Sequence, residues 1–179
     1  MSAPKNDGDD PNLDFRWHLS ENQAETKTTE LEFALMRAFE GFGHWQSECL
    51  ASVSDVAASG PENAMLHMIR MNDRPKSIKE LARLSNRDDI PNIQYSLRKL
   101  AAAGLIEKLG SGRSGVTYQA TTEGRRVTDQ YGALRRKLLI ERIHSVPGLN
   151  DQLAEATRVL NMLTGIYEEA ARMAATLPR

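Results

Sequence analysis

A single cysteine, Cys49, in 179 residues rules out an intramolecular disulfide framework and any zinc site built on several cysteines. Histidine is scarce too. His18, His44, His67 and His144 are the whole supply, and none stands at metal-ligand spacing from another histidine, so no metal is expected. The one glycine-rich stretch, Gly110-Ser-Gly-Arg-Ser-Gly115, lacks the Lys-Ser/Thr that would open a helix behind a phosphate loop. With no nucleophile-base pair, metal cluster or cofactor motif, the chain is not expected to be an enzyme or to hold a cofactor. No stretch approaches the roughly 18 consecutive apolar residues of a membrane span, and no early segment joins a basic start to an apolar run. A cytoplasmic protein without a membrane partner is the expectation.

Net charge is nearly absent as well, at −1, but its distribution is uneven. Residues 1–62 carry 4 basic and 12 acidic side chains, whereas residues 74–113 carry 9 basic and 4 acidic. The positive charge thus gathers where it can lie against phosphates and release counterions. The first dozen residues are acidic and turn-rich with little to bury, which predicts disorder in the unbound chain.

What is present is helical periodicity. From Thr26 to about Asp55, Leu31, Leu35, Ala38, Phe42, Trp45, Cys49 and Val53 recur at three- or four-residue steps, the spacing of one helix face. Gly41 and Gly43 predict a kink near Phe42. Gly60-Pro61 and Glu62 open a second helix that runs to Asn72. Then come a short amphipathic helix, Ser77 to Ser85, a polar turn, Asn86 to Asp89, and a further helix, Ile90 to Ala103, with Asp89 as its expected cap and Pro91 in its first turn. Ile78, Leu81, Ala82 and Leu84 are the expected inward face of the former; Ile93, Leu97 and Leu100 that of the latter. Leu105 to Leu109 and Gly115 to Ala120 read as a β-hairpin closed by the loop Gly110 to Ser114.

Two helices joined by a turn and followed by such a wing form a device for reading DNA. Helical geometry places Asn92, Gln94, Tyr95, Arg98 and Lys99 outward. Asparagine and glutamine suit an adenine edge, and arginine a guanine edge, in the major groove. Arg113, at the tip of the wing, suits the narrow minor groove. The expected partner is therefore double-stranded DNA.

After the wing, Val127, Tyr131, Leu134 and Leu138 mark a long helix that Pro147-Gly148 breaks. In the last helix, about Asn150 to Leu177, Leu153, Leu160, Tyr167 and Ala174 repeat every seven residues, interleaved with Ala156, Leu163 and Ala170. A reading module of some sixty residues cannot cover helices of this length, so a second copy of the chain is the expected cover. The fold class is mainly α with a small β-wing: a winged helix-turn-helix with long N- and C-terminal dimerisation helices. The expected segments are an N-terminal extension (1–25), an N-terminal dimerisation helix (26–58), the winged module (59–121) and C-terminal dimerisation helices (122–179).

This order of elements resembles the multiple antibiotic resistance regulator (MarR) family of transcription factors. Ser77-Ile-Lys-Glu-Leu-Ala82 is similar to the family's first reading helix, Leu97-Arg-Lys-Leu-Ala-Ala-Ala-Gly-Leu-Ile-Glu-Lys108 to its recognition-helix exit, and Thr121-Thr-Glu-Gly124 to its post-wing turn. The resemblance implies a homodimer on a pseudo-palindromic operator, commonly a repressor relieved by a small ligand. It also implies that Asn92, Gln94, Tyr95 and Arg98 lie in the major groove and Arg113 in the minor groove. Two features depart from the family pattern. Ser111 stands where the wing usually has an aspartate, and the extension before Thr26 is longer and carries Phe15, Arg16, Trp17 and His18, which could dock on the partner subunit. A ligand site is expected where the dimer helices meet the module, with His44, Trp45, His67 and Arg70 as candidates for a small aromatic or carboxylate effector. Two alternatives stand beside this reading: a winged-helix adaptor for proteins, and a thiol-based redox sensor using Cys49.

Overall fold

The structure, a computed structural model, describes residues 18–56, 59–111 and 115–178. The chain divides into two units, residues 1–125 and 126–179.

The first unit opens with α1 (Gln23–Ala51). It starts earlier than its apolar pattern suggests because Asn22 caps it: Oδ1 accepts from the backbone N–H groups of Ala24 (3.0 Å) and Glu25 (3.1 Å). The helix passes through Gly41 and Gly43 unbroken, contrary to the kink expected at Phe42. Gly43 serves a crossing instead. A Cβ built on Gly60 would sit 3.4 Å from the Gly43 carbonyl oxygen and 3.2 Å from Gln46 Oε1, so α1 and the next helix approach backbone to backbone. Only Thr29, Cys49 and Leu50 of α1 are buried. Much of the periodic stripe is uncovered within the chain: Leu31, Leu35 and Phe42 are exposed, as are Met36 and Phe39 beside them.

α2 (Gly60–Arg70) is capped by Ser59, whose backbone N–H donates to the Glu62 carboxylate at 2.6 Å and whose hydroxyl donates to it too. It ends at Arg70, short of the expected Asn72, and passes into a 3₁₀ turn, Met71–Asp73, where Asn72 and Asp73 take positive φ (60° and 49°). Lys76 closes that turn from inside. Its Nζ donates to the carbonyls of Ile69 (3.0 Å), Arg74 (3.1 Å) and Met71. The lysine is fully buried, and burial pushes its ammonium below the ordinary lysine value.

β1 (Lys76–Ser77) leads directly into α3 (Ile78–Leu84), with the Ser77 hydroxyl accepting from Glu80 N–H. α4 (Ile90–Ala102), β2 (Ile106–Leu109) and β3 (Thr117–Ala120) follow. β2 and β3 pair antiparallel, with Ile106 opposite Ala120 and Leu109 opposite Thr117. β1 adds a third strand on the far side of β3, which the sequence pattern did not foresee. The core is Leu66 and Ile69 of α2, Leu81 of α3, Ile93, Leu97 and Leu100 of α4, and Leu105, all essentially without exposure. Leu84, expected inward, is 38% exposed. At 3.6 residues per turn it lies about 60° around α3 from Leu81, past the edge of the covered face.

α4 ends at Gly104, which takes φ +71° and lets Leu105 N–H reach back to the Leu100 carbonyl at 3.0 Å. Thr121 then ties this exit to the start of α5 (Thr122–Arg135). Its hydroxyl donates to the Gly104 carbonyl (2.6 Å) and accepts from Gly124 N–H (3.0 Å), and its own N–H meets the Leu105 carbonyl (3.1 Å). A Cβ on Gly124 would stand 2.0 Å from that carbonyl oxygen, so no side chain fits there.

The second unit contains the rest of α5, a π-helical turn (Arg136–Ile140), α6 (Glu141–Ser145) and α7 (Leu149–Ala174). Val127, Thr128 and Tyr131 of α5 are buried. The π turn interrupts what the sequence suggested was a regular helix. Pro147-Gly148 breaks the chain as expected, with Gly148 at φ +75°. No residue of α7 is buried, and Leu153, Leu160, Met162, Ile166, Tyr167 and Met173 are exposed along it.

Candidate nucleic-acid interface

The core of α4 dictates what the helix shows to solvent. With Ile93, Ser96, Leu97 and Leu100 buried, Asn92, Gln94, Tyr95 and Arg98 fall on the opposite side and are exposed. All four are residues that the sequence selected. Tyr95 is 56% exposed, an unusual position for a large ring with no covering element. Lys99, selected with them, is half-buried and turned toward α2, where its Nζ meets the Glu62 carboxylate at 3.3 Å. Burial pushes Glu62 up, but hydrogen bonds from Ser59 and Lys99 and the Lys99 charge outweigh it, holding the carboxyl below its ordinary value. Lys99 therefore ties α4 to α2.

The turn before α4 is reached through Asn86, whose φ of 51° is one that asparagine tolerates better than most residues. Asp89 occupies the N-cap position, but its side chain makes no capping hydrogen bond, contrary to expectation. Arg87 has taken the carboxylate. Arg87 Nε donates to Oδ1 (2.8 Å) and Nη2 to Oδ2 (2.6 Å), a two-pronged pair, and Asn92 Nδ2 donates to Oδ2 at 2.9 Å. The Arg87 bonds first, then that from Asn92, pull the Asp89 carboxyl down to about 2.

The positive charge of residues 74–113 is reduced by such pairings. Lys76 is buried, Arg74 pairs with Glu80, Arg87 with Asp89 and Lys99 with Glu62. Lys79 and Arg83 on α3 and Lys108 on β2 are exposed alongside Arg98. Sequence reasoning passed over these three, although their polar positions on short amphipathic elements were a usable signal. Arg113, with the rest of 112–114, lies outside the described residues, as do Phe15, Arg16 and Trp17.

Of the four ligand candidates, His44 lines a cleft. The cleft, of about 490 Å³, lies between α1, α2 and the turn before α4, and His44 lines it together with Phe39, Phe42, Met65, Met68 and Arg87. Trp45, His67 and Arg70 are not among its lining residues. Arg70 pairs with Asp73 instead. The buried Cys49 is 2% exposed, and burial pushes its thiol up, opposite to the depression that makes a reactive thiolate. Among the described residues, no three His, Cys, Asp or Glu side chains gather as for a metal ion, and no helix is long and apolar enough to cross a membrane.

A helix-turn-helix whose second helix shows a polar face, backed by a three-stranded wing sheet, defines a DNA-binding module. In agreement, residues 59–124 match the family model of the winged helix DNA-binding domain, and the chain contains that domain. Its fold is similar to those of solved MarR transcription regulators. It is similar to the transcriptional regulator BldR from Sulfolobus solfataricus, at 20% identity over 79% of this chain and 99% of that one, with a TM-score of 0.63. It is also similar to a mutant MarR from E. coli complexed with operator DNA, at 18% identity, 79% and 99% coverage and a TM-score of 0.63. The repressor CouR bound to a 23-mer DNA duplex matches at 22% identity, 83% and 99% coverage and a TM-score of 0.61. No curated protein sequence matches the chain.

Proposed function

We propose that this chain is a sequence-specific regulator of transcription that binds a pseudo-palindromic operator as a homodimer, and that it is a repressor whose hold on DNA responds to a small ligand. The observation that carries the reading is the outward face of α4, where Asn92, Gln94, Tyr95 and Arg98 stand exposed over a fully buried apolar stripe. Similar proteins solved with DNA duplexes, the E. coli MarR mutant and CouR, support DNA as the partner. The uncovered apolar side chains of α1 and α7 support a second copy. Arg113 completes the proposed interface in the minor groove, and Lys79, Arg83 and Lys108 add phosphate contacts. The ligand reading rests on the cleft beside His44, whose rings and methionines suit an aromatic body.

Affinity selection against random duplex DNA at near-physiological salt tests this. An inverted repeat with half-sites about 10 base pairs apart is expected. Arg98→Ala should weaken binding to the selected site by about 1–3 kcal/mol and relax one position of each half-site. Retention of no preferred sequence would move the protein-adaptor reading to first place.

A further inference from the structure

We infer that Asp89, clamped by Arg87, is a positioning residue that sets which end of the Asn92 amide faces DNA, and thereby which base Asn92 accepts. The inference rests on the proposed reading of α4 as the recognition helix.

An asparagine amide has nearly the same shape after a half-turn about its last bond, yet the half-turn exchanges a donor for an acceptor. An exposed asparagine is therefore an ambiguous reader. Here the ambiguity is removed by chemistry. An ionised carboxylate only accepts, so the atom that Asn92 turns toward Asp89 must be Nδ2, and the 2.9 Å contact to Oδ2 is that bond. Oδ1 is then left for another partner, with one N–H of Nδ2 still available. The carboxylate itself is not free to swing, because the Arg87 fork grips both its oxygens, at 2.8 and 2.6 Å. Nor is it spent on the helix end, since it makes no capping hydrogen bond.

Asn92 lies in the first turn of α4, the part of a recognition helix that reaches base edges. An acceptor facing the major groove meets the exocyclic amine of adenine or cytosine, and the remaining N–H finds N7 only on adenine. The chain thus selects adenine at the position under Asn92. Without Asp89 the amide can turn over and present Nδ2 to the acceptors of guanine or thymine, and the preference disappears while the contact survives.

The test is the base preference, position by position, of the full-length wild type, Asn92→Ala, Asp89→Ala and Asp89→Asn in a selection from random duplex DNA. One half-site position should favour adenine by roughly 5- to 150-fold in the wild type, the discrimination of a good two-bond contact, and Asn92→Ala should flatten it. Asp89→Ala should flatten that same position and leave the others as they were. Asp89→Asn, which keeps the shape but can donate or accept, should do the same, so the test does not hang on one variant folding. Arg87→Met, which frees the carboxylate to rotate, should flatten it less. A merely structural role would lower all positions together, and that outcome overturns the inference. So does an adenine preference that persists in both Asp89 variants while Asn92→Ala removes it. If Asn92→Ala changes no position, it is the placement of Asn92 on a base that fails, and the inference falls with it.

Discussion

The winged module and α7 handle apolar and charged side chains in opposite ways. In the module, Leu66, Leu81, Ile93, Leu97 and Leu100 are fully enclosed, and Lys76, Arg87 and Lys99 are each held by carbonyls or a carboxylate. In α7 no residue is buried, and six large apolar side chains face outward along a helix that rises about 39 Å at 1.5 Å per residue. The first region satisfies itself within one chain. The second has the sequence of a covered helix and no cover within its own chain, which is what the proposed second copy would supply. If the proposed dimer holds, substitutions fall into two kinds: those that unfold the module and those that dissociate the dimer.

The sharpest break in that comparison is a double substitution on α7, Leu160→Glu with Ile166→Glu. Burying each such side chain is worth about 1.5–3 kcal/mol, so the pair should weaken a dimer by roughly 3–6 kcal/mol per protomer, before counting two carboxylates from each protomer in an apolar contact. Light scattering should give a dimer mass for the wild type and a monomer mass for the variant, while the module's thermal unfolding persists. A wild type that is monomeric, or a variant that stays dimeric at the same concentration, would defeat the reading of α7 as an interface.

Next in size is Lys76→Met, which tests the opposite property, self-sufficiency. The ammonium is costly to bury, and methionine would relieve that cost, but three carbonyls would lose their donor at a turn where Asn72 and Asp73 already hold positive φ. Leaving buried acceptors without a partner costs about 1–3 kcal/mol, and we expect that loss to win. Urea unfolding should show it, with the dimer mass unchanged. A gain in stability would mean that the buried ammonium is a burden on the fold.

Lys76 also marks where sequence reasoning stops. The inward set Ile93, Leu97 and Leu100, the two wing strands and the exposed Asn92, Gln94, Tyr95 and Arg98 were all legible, because periodicity alone decides which side of a helix or strand is buried. A buried lysine has no such signature: it depends on three carbonyls that converge only after α2 ends in a left-handed turn. The capture of Asp89 by Arg87 was hidden for a similar reason, since a capping residue and an ion-pair partner look the same in a string of letters. The cleft shows the geometric limit. His44 and Trp45 are adjacent, but at about 100° per residue they point to different faces of α1, and only His44 lines it. Arg113, expected at the tip of the wing, lies outside the described residues.

The smallest expected effect concerns the Lys99–Glu62 pair, and it sharpens the comparison because it joins two helices within the module. The folded state holds the Glu62 carboxyl below its ordinary value of 4.5 against the upward push of burial. A carboxyl with a depressed folded value binds its proton more readily when unfolded. Its contribution is therefore fully present above the unfolded value and is lost as pH falls through that value toward the folded one. Lys99→Met removes some of the depression while Ser59 keeps its hydrogen bonds to the same carboxylate. The variant should thus be less stable than the wild type near neutral pH, and the gap should close as Glu62 is protonated in both. Urea midpoints for the two proteins, followed from neutral pH down to about 3, measure that gap directly. A gap that stays constant with pH would assign Lys99 a packing role only. Operator binding gives the complementary reading: if the charge of Lys99 is engaged by Glu62, Lys99→Met should change the salt dependence of DNA affinity less than Arg98→Ala does.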